Sequence, residues 1–83
     1  MSYALRLAAD ARRALATLPL GAQEEVFDVL ERIAEEANPL APEVEVQQVV
    51  YRTNLEAVYV RLYCSVMHDI ETVTLERLVA VIV

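Results

Sequence analysis

The chain has 83 residues, 57% of them hydrophobic, and its seven Lys+Arg against thirteen Asp+Glu give a formal net charge of −6. That length holds one domain with one core, residues 1–83, and the apolar fraction is enough to fold it without metal or disulfide staples. An acidic chain is a poor unaided ligand for phosphate backbones, which argues against a nucleic-acid partner unless arginines gather locally.

Residues 2–7 alternate, Tyr3, Leu5 and Leu7 against Ser2, Ala4 and Arg6, and this period of two predicts a short first strand. Asp10 offers an N-cap, and Ala11, Ala14, Leu15 and Leu18 recur at helical spacing until Pro19-Leu20-Gly21 is expected to turn the chain. A second helix carries one continuous stripe, Val26, Val29, Leu30, Ile33, Ala34 and Ala37, and closes at Asn38-Pro39. Its other positions are acidic (Glu24, Glu25, Asp28, Glu31, Glu35, Glu36), which reads as a solvated face open to a basic partner.

After the connector Leu40-Ala41-Pro42 the chain turns β-branched. Val44, Val46, Val49, Val50 and Tyr51 mark a second strand, with a slip of phase at Gln47-Gln48 that predicts a bulge. Arg52 to Glu56 reads as a hairpin turn. In the third strand Val58, Val60, Leu62, Cys64 and Val66 oppose Tyr59, Arg61, Tyr63 and Ser65. His68-Asp69 opens the next turn, where an exposed His68 is expected. The last strand begins near Thr72 and places Val73, Leu75, Val79, Val81 and Val83 in one phase, leaving Leu78, Ala80 and Ile82 to face away from the helices.

The expected fold is α+β: a two-helix hairpin on one face of a mainly antiparallel four-stranded sheet, in the order β-α-α-β-β-β. The last three strands form a meander, and the first joins the sheet beside the final one, which is apolar enough to be central.

Cys64 and His68 are the single Cys and the single His, so neither a disulfide nor a metal site is expected, and no cofactor is implied. Cys64 falls in the core phase as a buried thiol. No signal-peptide pattern opens the sequence and the longest apolar run, Leu78 to Val83, is too short to cross a bilayer, so the cytoplasm is the expected location. Tyr59, Arg61 and Tyr63 share an outward strand face. Together with Leu78 and Ile82 they form a candidate partner-binding patch, with a cross-strand Arg61–Glu76 pair as the plainer reading.

The strand and helix order, the Leu18-Pro19 turn, the early Gln23 and the stretch Val60-Arg61-Leu62-Tyr63-Cys64 resemble the RelE/ParE superfamily of bacterial type II toxins. Arg61 matches the arginine of that family's strand motif, while Val60 and Cys64 stand where aromatic residues are usual. The resemblance implies an antitoxin-like partner. In ribonuclease members it implies an Arg acting with basic residues and a Tyr near the C-terminus. After Arg77 this sequence reads Leu78-Val79-Ala80-Val81-Ile82-Val83, with none of those groups. The expectation is therefore a toxin-fold protein that works by contact with an antitoxin-like partner or a second copy of itself. Two alternatives stay open: a divergent ribonuclease using Arg52, Arg61 and Arg77, and a structural self-association module.

Overall fold

A computed structural model describes residues 3–38, 44–53 and 58–82, with the side chains of Val58 and Ile82 outside the described set. The elements are β1 (Ala4–Leu7), α1 (Ala9–Ala16), α2 (Leu20–Glu36), β2 (Val44–Arg52), β3 (Val58–Met67) and β4 (Thr72–Ile82). They form one sheet in the order β1-β4-β3-β2, antiparallel except for the parallel β1–β4 pair. The expected α+β architecture and the place of the final strand beside the first are both observed. The connector at residues 39–43 and the turn at residues 54–57 lie outside the described residues.

Both helical stripes are buried as their spacing requires. Ala11 and Leu15 of α1 join Val26, Leu30 and Ala34 of α2 and Val60, Leu62, Cys64 and Val66 of β3 in one core, with Ala14, Leu18, Val29, Ile33 and Ala37 packed at its margin. A helix presents one face every 3.6 residues and a strand one face every two, so these spacings meet in a single apolar layer.

Helix boundaries depart from expectation in two places. Ala8, not Asp10, is the N-cap of α1, and it makes no side-chain capping bond. The helix starts there because the Ala8 N–H donates to the Leu75 carbonyl at 3.0 Å, ending the β1 ladder one residue before the helix. Asp10 sits in the first turn and pairs with Arg13. The interhelical turn is also earlier than Pro19-Leu20-Gly21. α1 ends at Ala16, and Pro19 is the entry residue of α2, where a missing N–H costs nothing. Gln23 anchors this corner: its backbone N–H donates to the Pro19 carbonyl at 3.0 Å and its side-chain amide to the Leu18 carbonyl at 2.8 Å.

The bulge is not in β2. Residues Val44 to Arg52 pair with Met67 to Tyr59 in unbroken register. It lies in β4, where Cys64 faces Leu75 but Tyr63 faces Arg77, leaving Glu76 as an extra residue. One inserted residue reverses every later side chain. Val73 and Leu75 are core residues before it, and Leu78, 6% exposed, is the core residue after it. The single-phase reading of Val73, Leu75, Val79 and Val81 is thereby corrected; Val83 lies outside the described residues.

The β3–β4 turn holds Glu71 at φ 47°, in the left-handed region. Its carbonyl accepts the Ala4 N–H at 2.9 Å, so the strained residue also seats β1. Left-handed backbone costs an L-residue about 1–2 kcal/mol, most for β-branched ones. Glu71→Gly is expected to leave stability unchanged or raise it by up to about 1 kcal/mol, and Glu71→Val to lower it by about 1–2 kcal/mol. Equal urea midpoints for the two variants would show that the turn relaxes freely.

Candidate functional site

The strand face turned away from the helices is a grid of three ranks. Register places Arg52, Tyr59 and Val81 side by side, then Val50, Arg61 and Val79, then Gln48, Tyr63 and Arg77. Tyr59 is 43% exposed, Val50 52% and Val81 55%, so apolar side chains are presented to solvent rather than packed away. Arg52, Arg61 and Arg77 each occupy a different strand and a different rank, forming a diagonal across the sheet. Diagonal neighbours on one face lie about 7–8 Å apart, too close for water to screen their charges fully.

Tyr63 contacts the guanidinium groups of both Arg61 and Arg77. An Arg61 nitrogen donates to the Tyr63 hydroxyl at 3.4 Å, and the Arg77 guanidinium lies 5.9 Å from the Tyr63 ring centre, within cation–π range. Val50, Tyr59, Arg61, Val79 and Val81 line a shallow cleft of about 140 Å³ on this face. Arg6 of β1 shares the same side, because Arg6 pairs with Thr74 and Thr74 with Ser65.

Of the residues expected on the outer face, three lie there and a fourth does not. Tyr59 and Arg61 are exposed and Tyr63 is half-buried on the outer face. Leu78 is turned into the core by the β4 bulge. The Ile82 side chain lies outside the described residues, although its backbone pairs with Val58. Val79 and Val81 stand where Leu78 and Ile82 were expected. Arg61 faces Val79 across the ladder, not Glu76, because Glu76 is the bulged residue and takes no place in the register.

His68 is the second correction. It is buried, 7% exposed, and faces the helix side of the sheet. The Tyr3 hydroxyl and His68 Nδ1 are 3.0 Å apart with the rings edge-on, and His68 Nε2 lies 3.4 Å from Glu45 Oε2. Tyr3 also donates its backbone N–H to the Ala34 carbonyl at 3.2 Å. These contacts run from the segment before β1, under the β3–β4 turn, to the edge strand β2. Burial, with the Glu71 carboxylate second, raises the Tyr3 phenol above its ordinary range. The signal for His68 was present in the sequence: it continues the even-numbered series Val60, Leu62, Cys64, Val66.

Cys64 is buried as expected, and burial, followed by the charge of Glu76, pushes its thiol up to about 11. The acidic side chains of α2 line the opposite face of the molecule, with Glu24, Asp28, Glu31, Glu35 and Glu36 all exposed. Among the described residues no group of three or more His, Cys, Asp or Glu is placed to hold a metal ion, and no helix is long and apolar enough to cross a membrane.

Two helices over a mixed sheet of this order, with an exposed Arg/Tyr face, make a RelE-like fold. The chain matches a chain of the intact E. coli RelBE toxin–antitoxin complex with a TM-score of 0.64, at 14% identity, over 93% of this chain and 94% of that one. It matches a chain of the archaeal RelE–RelB complex from Pyrococcus horikoshii OT3 with a TM-score of 0.60, at 16% identity, over 94% and 93%. A scan of protein-family models and a search of curated proteins return no match. Identity this low makes the likeness one of fold.

Proposed function

We propose that this chain is a toxin-type member of a toxin–antitoxin pair that acts by protein–protein contact through the outer face of its sheet. The observation carrying the proposal is the exposed grid itself. Tyr and Arg are the residues that most often dominate binding energy, and here they alternate with exposed valines on a rigid sheet. The two solved structures matched above are toxin–antitoxin complexes, which supports an antitoxin-like partner. The diagonal of arginines favours an acidic amphipathic segment as the part of that partner that docks.

The expected result is growth arrest when the chain is expressed alone, relieved by co-expression of a small neighbouring reading frame. A Tyr59→Ala/Tyr63→Ala double variant is expected to weaken the resulting complex at least about tenfold, or about 1.4 kcal/mol, without moving the unfolding midpoint. Unchanged affinity in that variant, measured by titration calorimetry, would remove the face from the proposal.

The placement of Arg52, Arg61 and Arg77 on one sheet face supports a second reading, contact with a polyanion such as RNA. Cleavage would need acid and base groups beside those arginines, and the single His is on the other side of the sheet. Purified protein is expected not to cut RNA. Cutting that disappears in Arg61→Ala would establish the ribonuclease reading instead.

A further inference from the structure

The open edge of the sheet at β2 has features that the outer-face reading does not use. β2 is a nine-residue terminal strand, paired to β3 along its whole length and to no strand on its other side among the described residues. Among the described residues, one row of its backbone N–H and C=O groups therefore has no partner strand. Edge strands are ordinarily blunted by Lys, Pro, a bulge or an inward charge. β2 contains no Lys or Pro, and its register runs without a bulge. Its inward charge, Glu45, is turned toward His68 of the same chain at 3.4 Å. Val44, Val46 and Val50 are 57%, 76% and 52% exposed along it.

We infer that this edge pairs with the same edge of a second copy, antiparallel about a two-fold axis at Gln48, to give one continuous eight-stranded sheet. The sequence of the strand chooses the occupant and the register. An isologous contact must be complementary to itself, and an axis at Gln48 sets Val46 opposite Val50 and Gln48 opposite its own copy. Centring on residue 48 overlaps all nine residues and keeps outer face with outer face. Val46 then meets Val50 of the other copy twice, and Gln48 meets Gln48. Glu45 meets Tyr51 and Arg52 meets Val44, so no like charges are opposed. Val46, the most exposed valine of β2, is thus covered by Val50 of the other copy. The outer grid of each copy remains on the same side of the extended sheet, so two arginine diagonals are displayed together.

The test combines light scattering over a concentration series with variants at the axis. Wild-type protein is expected to shift from monomer to dimer as concentration rises. Gln48 is exposed, so Gln48→Lys and Gln48→Glu are expected to fold normally and each remain monomeric at concentrations where the wild type is dimeric. Mixed one to one, they are expected to recover the dimer. Opposed residues in a ladder sit at separations that a disulfide spans. Gln48→Cys is therefore expected to cross-link to itself on mild oxidation, and Val46→Cys is not, because its partner across the axis is Val50. Wild-type protein that stays monomeric overturns the inference. So do dimers that survive Gln48→Lys, or equal cross-linking of the two cysteine variants.

Discussion

Leu30→Ala is expected to lower the free energy of unfolding by about 2–5 kcal/mol, read from urea denaturation followed by far-ultraviolet circular dichroism. Leu30 is 1% exposed, at the middle of the α2 stripe, and is among the largest fully buried side chains of the core. The loss combines the transfer free energy of the removed carbons with the cavity they leave. The range is wide because α1 is only eight residues long, and a short helix settles into a void more readily than a sheet. A chain of this length has about 4–12 kcal/mol of stability in all, so the variant is expected to be partly unfolded at 37 °C. Phe27, on the same helix but 37% exposed, supplies the control: Phe27→Ala is expected to cost less than Leu30→Ala. Equal losses at the two positions would mean that the stripe is not the packed face.

The second large effect is alkaline. Stability is expected to fall as pH rises from about 9 to about 11, by up to about 3 kcal/mol, through Cys64. The sign follows from proton counting. Unfolded protein releases the thiol proton near 9.0, whereas the folded state, where burial and then Glu76 disfavour the thiolate, keeps it to about 11. Between those values the unfolded state binds fewer protons than the folded one, so raising the pH favours unfolding. Below 9 the contribution is fully present. Tyr51 adds to the loss at higher pH, since burial, Glu25 and Asp28 push its phenol up to about 12 from 10.0. Cys64→Ala is expected to be less stable at neutral pH, from the lost sulfur, yet to show a flatter slope between pH 9 and 11. An unaltered slope would assign the alkaline transition to other groups.

The parts of the fold that sequence disclosed are those written in repeated apolar side chains. The α2 stripe and the even-numbered row of β3 each carry several large residues, and chance cannot easily imitate either period. The bulge at Glu76 left no such mark. An inserted glutamate before Arg77 is chemically ordinary, and the run of Leu78, Val79, Ala80, Val81 and Ile82 is apolar in either phase, so no alternation reveals which side faces the core. That ambiguity is why Tyr59, Arg61 and Tyr63 were placed correctly while Leu78 was placed on the wrong side of its own strand. It also hid Val79 and Val81 from the candidate site. His68 was misplaced for a different reason. A His-Asp pair at a strand end resembles a turn, and the partners of the buried ring, the Tyr3 hydroxyl and the Glu45 carboxylate, are distant in sequence.

The separation of charge between the two layers has a kinetic consequence. Arg6, Arg52, Arg61 and Arg77 lie on the bare side of the sheet, while on the helix layer five exposed carboxylates of α2 outnumber the exposed Arg12, Arg13 and Arg32. Although its net charge is −6, the molecule is an electric dipole directed across its thickness. In the field of an anionic body it experiences a torque that turns the arginine diagonal forward before contact, even as the monopole slows its approach. Ions at physiological strength confine that torque to roughly the last 8–10 Å of approach. Added salt therefore acts on both terms at once, weakening long-range repulsion and removing orientation.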